Sequence, residues 1–364
     1  MKITAVDPIV LRIPFQDGGT GLGMTPHRWA VLDSVRVRVE TDTGLVGWGE
    51  AFGYFCQRAV AAAVTDLVAP ALIGRDPSDP AALNLELQRK LALFGRYGIT
   101  IFALSGADIA LWDLKAKAAD TDLATLLTGR RVRESVLAYA SLVRYGTADL
   151  VARFSAQAAS EGYRSIKLHE ITMPEIRAGR GVIDRGISFT VDVNCAWSEQ
   201  YAAEVLPELA DLDTLWLEEP VFPPEDWETL RRLGDGAHGV AIAAGENACT
   251  AMEFSRLIPS VTYSQPSVTK VGGISEFLRI AEIARAHGQT LMPHSPYFGP
   301  GYFATLQLAA ALDGFGMFEH LYVWPEAWPA SLTPRPVGGE VAIPSGPGIG
   351  FEPDPDVLAR YAVA

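Results

Sequence analysis

The chain has 364 residues, 49% of them hydrophobic and 20% charged, which is ordinary globular composition and more than one small domain needs. Its formal net charge of −13 argues against nucleic acid or an anionic membrane as partner, although a metal and a few local cations can still reverse the field inside one pocket. Cys56, Cys195 and Cys249 follow no disulfide pattern, and no apolar run reaches the length of a membrane span, so the reading is a soluble, cytoplasmic protein with free thiols.

The first residues, Met1 to Asp7, read as a strand and not as a leader. Up to residue 55 the pattern is antiparallel sheet. Val35, Val37 and Val39 alternate with Ser34, Arg36 and Arg38, and Thr41 to Gly44 reads as a hairpin turn. The glycine-rich stretch Gln16 to Met24 reads as a surface loop between the first two strands. From Gln57 to Thr128 the spacing turns helical, with Leu104, Ile109, Leu111, Trp112 and Leu114 in one segment. Residues 1–128 are thus expected to form an α+β unit.

After Arg131, short apolar strands alternate with helical segments eight times. They start at Val136, Ser165, Phe189, Leu215, Val240, Val261, Thr290 and Met317. Repeated βα units predict an α/β barrel over residues 129–330. A doubly wound open sheet is the rival, and the absence of Gly-x-Gly-x-x-Gly after the first strand counts against its dinucleotide-binding form. Residues 331–364, with Pro-Gly turns and a short strand at Glu340 to Ile343, are expected to pack back on the first unit.

Three carboxylates close apolar runs inside the repeat: Asp192, Glu218 and Glu246, spaced 26 and 28 residues apart. One strand plus one helix has about that length, so in a parallel barrel all three reach the C-terminal rim side by side. Converging carboxylates repel one another unless a hard cation neutralises them, which predicts a divalent metal, Mg²⁺. The plainer alternative is three solvated loop acids in an acidic chain.

In this order and spacing, the motifs resemble the enolase superfamily, and within it the mandelate racemase-like acid-sugar dehydratases. The motifs are Gly47-Trp-Gly-Glu50, the helix Ala103 to Lys115, Asp192, Glu218-Glu-Pro220, Gly245-Glu246, Lys270-Val-Gly-Gly273 and Pro293-His294. The resemblance implies a capping domain over a modified (β/α)7β barrel, Mg²⁺, a small carboxylate substrate such as an acid sugar, and homo-oligomers. It also implies abstraction of the proton α to a carboxylate, with loss of a β-hydroxyl to give a 2-keto-3-deoxy acid. Racemisation, epimerisation or lactone cycloisomerisation fit the same scaffold, as does a silent metal-binding homologue.

By position, Lys167 matches the lysine that contacts the substrate carboxylate. His169 stands where a second lysine is the usual base, and imidazole titrates near neutrality without help from burial. His294 matches the second base, but Ser267 replaces the aspartate that would orient it. Lys270, three residues on, is expected to point elsewhere. Glu319 matches the acid that bonds a substrate carboxylate oxygen. Asn194, Asn247, Ser267, His27 and Tyr54 are candidate substrate contacts. Glu219 is expected in a structural ion pair, and Trp197, Tyr297 and Phe298 in the pocket wall.

Overall fold

The computed structural model describes residues 1–21, 28–236 and 238–363. β1 (Ile3–Gln16), β2 (Val31–Thr41) and β3 (Val46–Ala51) form an antiparallel sheet in chain order. The expected turn closes β2 onto β3, with the Gly44 N–H donating to Thr41 O and φ at +81°. Val35, Val37 and Val39 are fully buried. Each such side chain contributes about 1.5–3 kcal/mol relative to exposure.

The motif Gly47-Trp-Gly-Glu50 lies within β3. Its glycines are needed because the helix Ile99–Ala118 lies against it at backbone distance. A Cβ on Gly49 would sit 1.8 Å from Gly106 O, and one on Gly47 would sit 2.2 Å from Ala110 O. The helix is apolar on nearly every side, since it packs between β3 and the second unit. Two buried carboxylates on it fasten the halves together. Asp108 accepts from Asn84 Nδ2 and from both the backbone and hydroxyl of Ser275. Asp113 accepts from the backbone N–H groups of Trp48 and Ile349 and pairs with Lys117.

The second unit is a curled parallel sheet of seven strands, a TIM-like barrel. The strands are β4 (Ser135–Ser141), β5 (Ser165–Leu168), β6 (Ser188–Asp192), β7 (Thr214–Glu218), β8 (Ala241–Ala244), β9 (Tyr263–Ser264) and β10 (Phe318–Leu321). Their order is β10-β4-β5-β6-β7-β8-β9. The strand expected over Thr290 to Met292 is reduced to single bridges from Leu291 to Ser264 and to Phe315. Pro293 follows directly and has no N–H to extend the ladder. Inside the sheet, Tyr139, Trp216, Ala243, Met292 and Met317 form a separate apolar plug.

Beyond β10, β11 (Trp324–Pro325) pairs with the end of β1. β12 (Glu340–Ala342) pairs antiparallel with β4, and β13 (Ala362–Val363) pairs with β1. The tail thus touches both units.

Candidate active site

Strand register builds the acid cluster. Asp192 and Glu218 close β6 and β7 and are direct register partners. Both are fully buried. Glu246 lies two residues past β8, reached through Gly245 at φ +138°, where a Cβ would stand 2.9 Å from Gln265 N. Each of the three offers an oxygen within 4.8 Å of the others.

Lys167 sits among these acids. Its Nζ lies 2.9 Å from Glu218 Oε1, 2.9 Å from Glu319 Oε1 and 3.4 Å from Asp192 Oδ2. Burial pulls the ammonium down, but Glu218, Glu319 and Asp192 outweigh it and hold Lys167 charged, well above its ordinary value. One lysine does not balance the cluster. Burial and the neighbouring Asp192 push Glu218 well above the usual carboxylate range. Three hard oxygen donors with uncompensated charge fit a Mg²⁺-sized dication.

His169 follows β5 with its Nε2 3.2 Å from Asp192 Oδ2. Its Nδ1 contacts Leu142 O. A carbonyl can only accept, so Nδ1 carries a hydrogen, and Nε2 is the ring nitrogen turned towards the acid cluster. Arg144 braces this side, donating to His169 O at 2.7 Å and to Asn194 Oδ1 at 3.2 Å. Glu319 closes the group, accepting from Ser141 Oγ at 2.7 Å and from Ser295 N at 2.8 Å. Burial would raise Glu319, but Lys167 and His294 hold it below its usual range.

His294 approaches from the other side, its Nε2 2.8 Å from Glu246 Oε2. Burial raises Glu246, and His294 overrides this to hold it at about 2. Ser267, a candidate substrate contact, is fully buried behind the ring, 3.2 Å from Nδ1 and bonded to the Tyr297 hydroxyl. The loop after His294 is tied to the first unit. Tyr54 donates to Pro296 O, and Gly301 N donates to Glu50 Oε2 at 2.9 Å.

A cavity of about 530 Å³ opens between the two units. Its polar lining includes Asn194, Glu246, Asn247, Lys270 and His294, and Tyr54 is on its wall. Trp29, Phe52, Phe55, Tyr97 and Phe102 make the rest of that wall aromatic. The expectation that Lys270 points elsewhere is overturned. β9 stops at Ser264, and Lys270 N and Val271 N both donate to Ser267 O, so the segment is a helical turn. In such a turn residues three apart share a face, whereas on a strand they do not.

His27 lies outside the described residues. Trp197, Tyr297 and Phe298 are buried but do not line this cavity, and Trp197 donates instead to Ile171 O. Glu219 has no cationic partner among the described residues. It accepts from Gly245 N at 3.0 Å, and burial together with Glu246 raises it to about 7. Its backbone at φ +44° turns it away from the strand, so an N–H replaces the expected cation.

Residues 9–128 match the family described as mandelate racemase / muconate lactonizing enzyme, N-terminal domain, and residues 149–357 match the enolase C-terminal domain-like family. The chain therefore belongs to the mandelate racemase / muconate lactonizing enzyme family of the enolase superfamily. It is 30% identical to D-galactarolactone cycloisomerase of Agrobacterium fabrum, over 99% of each sequence. It is 32% identical to D-galactonate dehydratase of Verminephrobacter eiseniae, over 90% of this chain and 89% of the relative. A mandelate racemase/muconate lactonizing protein from Paracoccus denitrificans, solved with magnesium, superposes with a TM-score of 0.86 at 27% identity, covering 100% of this chain and 98% of that one. These relatives are lyases and isomerases, and the scaffold is one that supports proton removal next to a carboxylate. No helix among the described residues is long and apolar enough to cross a membrane.

Proposed function

We propose that this enzyme dehydrates an acid sugar with the aid of Mg²⁺, giving a 2-keto-3-deoxy acid. Asp192, Glu218 and Glu246 would hold the ion. When bound, Mg²⁺ neutralises these acids and favours negative charge on the substrate carboxylate. Lys167, fixed between Glu218 and Glu319, adds a second positive centre for that carboxylate. His169 Nε2 takes the α-proton, because Nδ1 is committed to Leu142 O. His294, on the other side, assists the β-hydroxyl to leave as water.

The observation that carries this reading is the pair of imidazoles bracketing one acid cluster, His169 on Asp192 and His294 on Glu246. We place the enzyme in the cytoplasm, as a homo-oligomer acting on a small carboxylate. Cycloisomerisation of a sugar lactone is the second reading, favoured by the full-length match to the galactarolactone enzyme.

The test is incubation with Mg²⁺ and a library of sugar acids and lactones in D₂O. Keto acid formation supports dehydration. Deuterium at the α-carbon without water loss supports isomerisation. No exchange across the library leaves a metal-binding homologue without catalysis.

A further inference from the structure

Lys270 takes no part in the reaction proposed above. It stands on the helical turn after β9, is 8% exposed, and lines the cavity of about 530 Å³. Its Nζ lies 4.9 Å from the centre of the ring of Phe52, a residue of the first unit on the same wall. An aromatic face steadies an ammonium without neutralising it. Glu246 feels the charge but pairs with His294. Among the described residues no carboxylate forms an ion pair with Lys270, and residues 22–27, 237 and 364 carry no acidic side chain. A lysine this enclosed ordinarily has an anionic partner.

The aromatic wall has no side-chain donor to spare. Trp29 Nε1 donates to Val31 O at 2.9 Å, Tyr54 to Pro296 O, and Tyr97 to Asn247 O at 2.7 Å. Cys249, also on the wall, donates to Lys270 O at 3.3 Å. The other polar lining groups belong to the acid cluster or adjoin it: Glu246, His294, Asn247 next to Glu246, and Asn194 two residues after Asp192. Lys167 and Glu319, the groups for the reacting carboxylate, are buried outside this lining. A carboxylate held there leaves the Lys270 charge unanswered. A hydroxyl can accept from Nζ without neutralising it, whereas a second carboxylate does both.

We propose that Lys270 is a specificity-determining residue that receives a second carboxylate, so that the site prefers an acid sugar with a carboxylate at each end over the acid with only one. On the dehydration reading above, one carboxylate lies at Lys167 and the ion, and the reacting carbons lie beside His169 and His294. The far carboxylate then meets Lys270 under the aromatic wall. Phe52 holds the ammonium at the cavity, and the rings around it exclude the water that would otherwise screen the pair. What is done to the diacid rests on that reading, but the charge preference of the cavity does not.

The experiment pairs each member of a panel of sugar diacids with the monoacid of the same configuration. Binding is measured by calorimetry with Mg²⁺ in His169→Ala, which lacks the proposed base and leaves the ligand unreacted. Turnover is measured in the wild type. At least one diacid is expected to bind about 10–100-fold more tightly than its monoacid, the range of a charge-assisted hydrogen bond. Adding Lys270→Met is expected to erase that ratio. A purely structural role for Lys270 would weaken both members of a pair alike and leave the ratio in place. Monoacids that bind as tightly as their diacids throughout, no binding by any diacid, or a ratio that survives Lys270→Met overturns the inference. Should Lys270→Met fail to fold, as judged by near-UV circular dichroism, the ratio without it still decides. The expected ratios with no turnover of any acid by the wild type would retire the dehydration reading and leave this one standing.

Discussion

The two sides of the site are built from different materials. Lys167, His169, Asp192, Glu218 and Glu319 come from neighbouring strand ends and hold one another by charge and strand register. His294 stands on a loop beyond a strand reduced to single bridges, held by hydroxyls behind it and by Tyr54 and Glu50 of the first unit. A ladder of strands fixes atoms to within its own repeat and needs no outside support. A loop needs neighbours, so the second side depends on how the two units dock.

The sharpest way to break this contrast is to remove a charge from the strand side. Asp192→Asn or Glu218→Gln should abolish turnover and Mg²⁺ binding measured by calorimetry while the far-UV spectrum is kept. Unaltered Mg²⁺ affinity in either would sink the metal assignment. His169→Ala should lose α-proton exchange in D₂O by about 10²–10⁴-fold. His294→Ala should keep exchange and slow only product formation, and the reverse result would swap their roles. Lys167→Met leaves buried Glu218 and Glu319 without their shared cation, and should destabilise the metal-free protein by about 3–5 kcal/mol in denaturant titration. A loss under about 1 kcal/mol would mean the acids are already compensated in another way.

Much of the strand side was legible in the sequence because period and register decide it. The spacing of Asp192, Glu218 and Glu246 is the repeat length of a βα unit, and an apolar run before each acid drives it to the rim. The loop side was hidden. Lys270 was misplaced because the sequence does not show where β9 stops and a helical turn begins. Ser267 could be seen as a missing aspartate, but its partner Tyr297 is 30 residues away. Nothing local couples those two hydroxyls.

The docking of the units is open to smaller tests. Asp108 bolts the long helix to Ser275, and burial, against the hydrogen bonds from Ser275 and Asn84, raises it to about 7. The folded state then keeps a proton that the unfolded chain has lost. That contribution is complete below the unfolded value and disappears as pH rises towards 7. The wild type should therefore lose stability relative to Asp108→Asn between about pH 4 and about pH 7. A flat difference over that range would show Asp108 ionised throughout. Tyr54→Phe, which frees Pro296 O, should cost about 1 kcal/mol or less and raise KM with little change in kcat. An equal fall in kcat would mean that Tyr54 acts in the chemical step.

The glycine seat between β3 and the long helix bears on how such an enzyme changes its diet. Gly47, Gly49 and Gly106 let two backbones touch, and any side chain added there collides with main-chain atoms that cannot yield. That seam is closed to variation by drift. Yet β3 ends at Ala51, and the next residues, Phe52, Tyr54 and Phe55, line the cavity. An immovable joint thus carries the wall that meets the substrate. New preferences can be acquired by exchanging those rim side chains one at a time, with the joint itself left untouched.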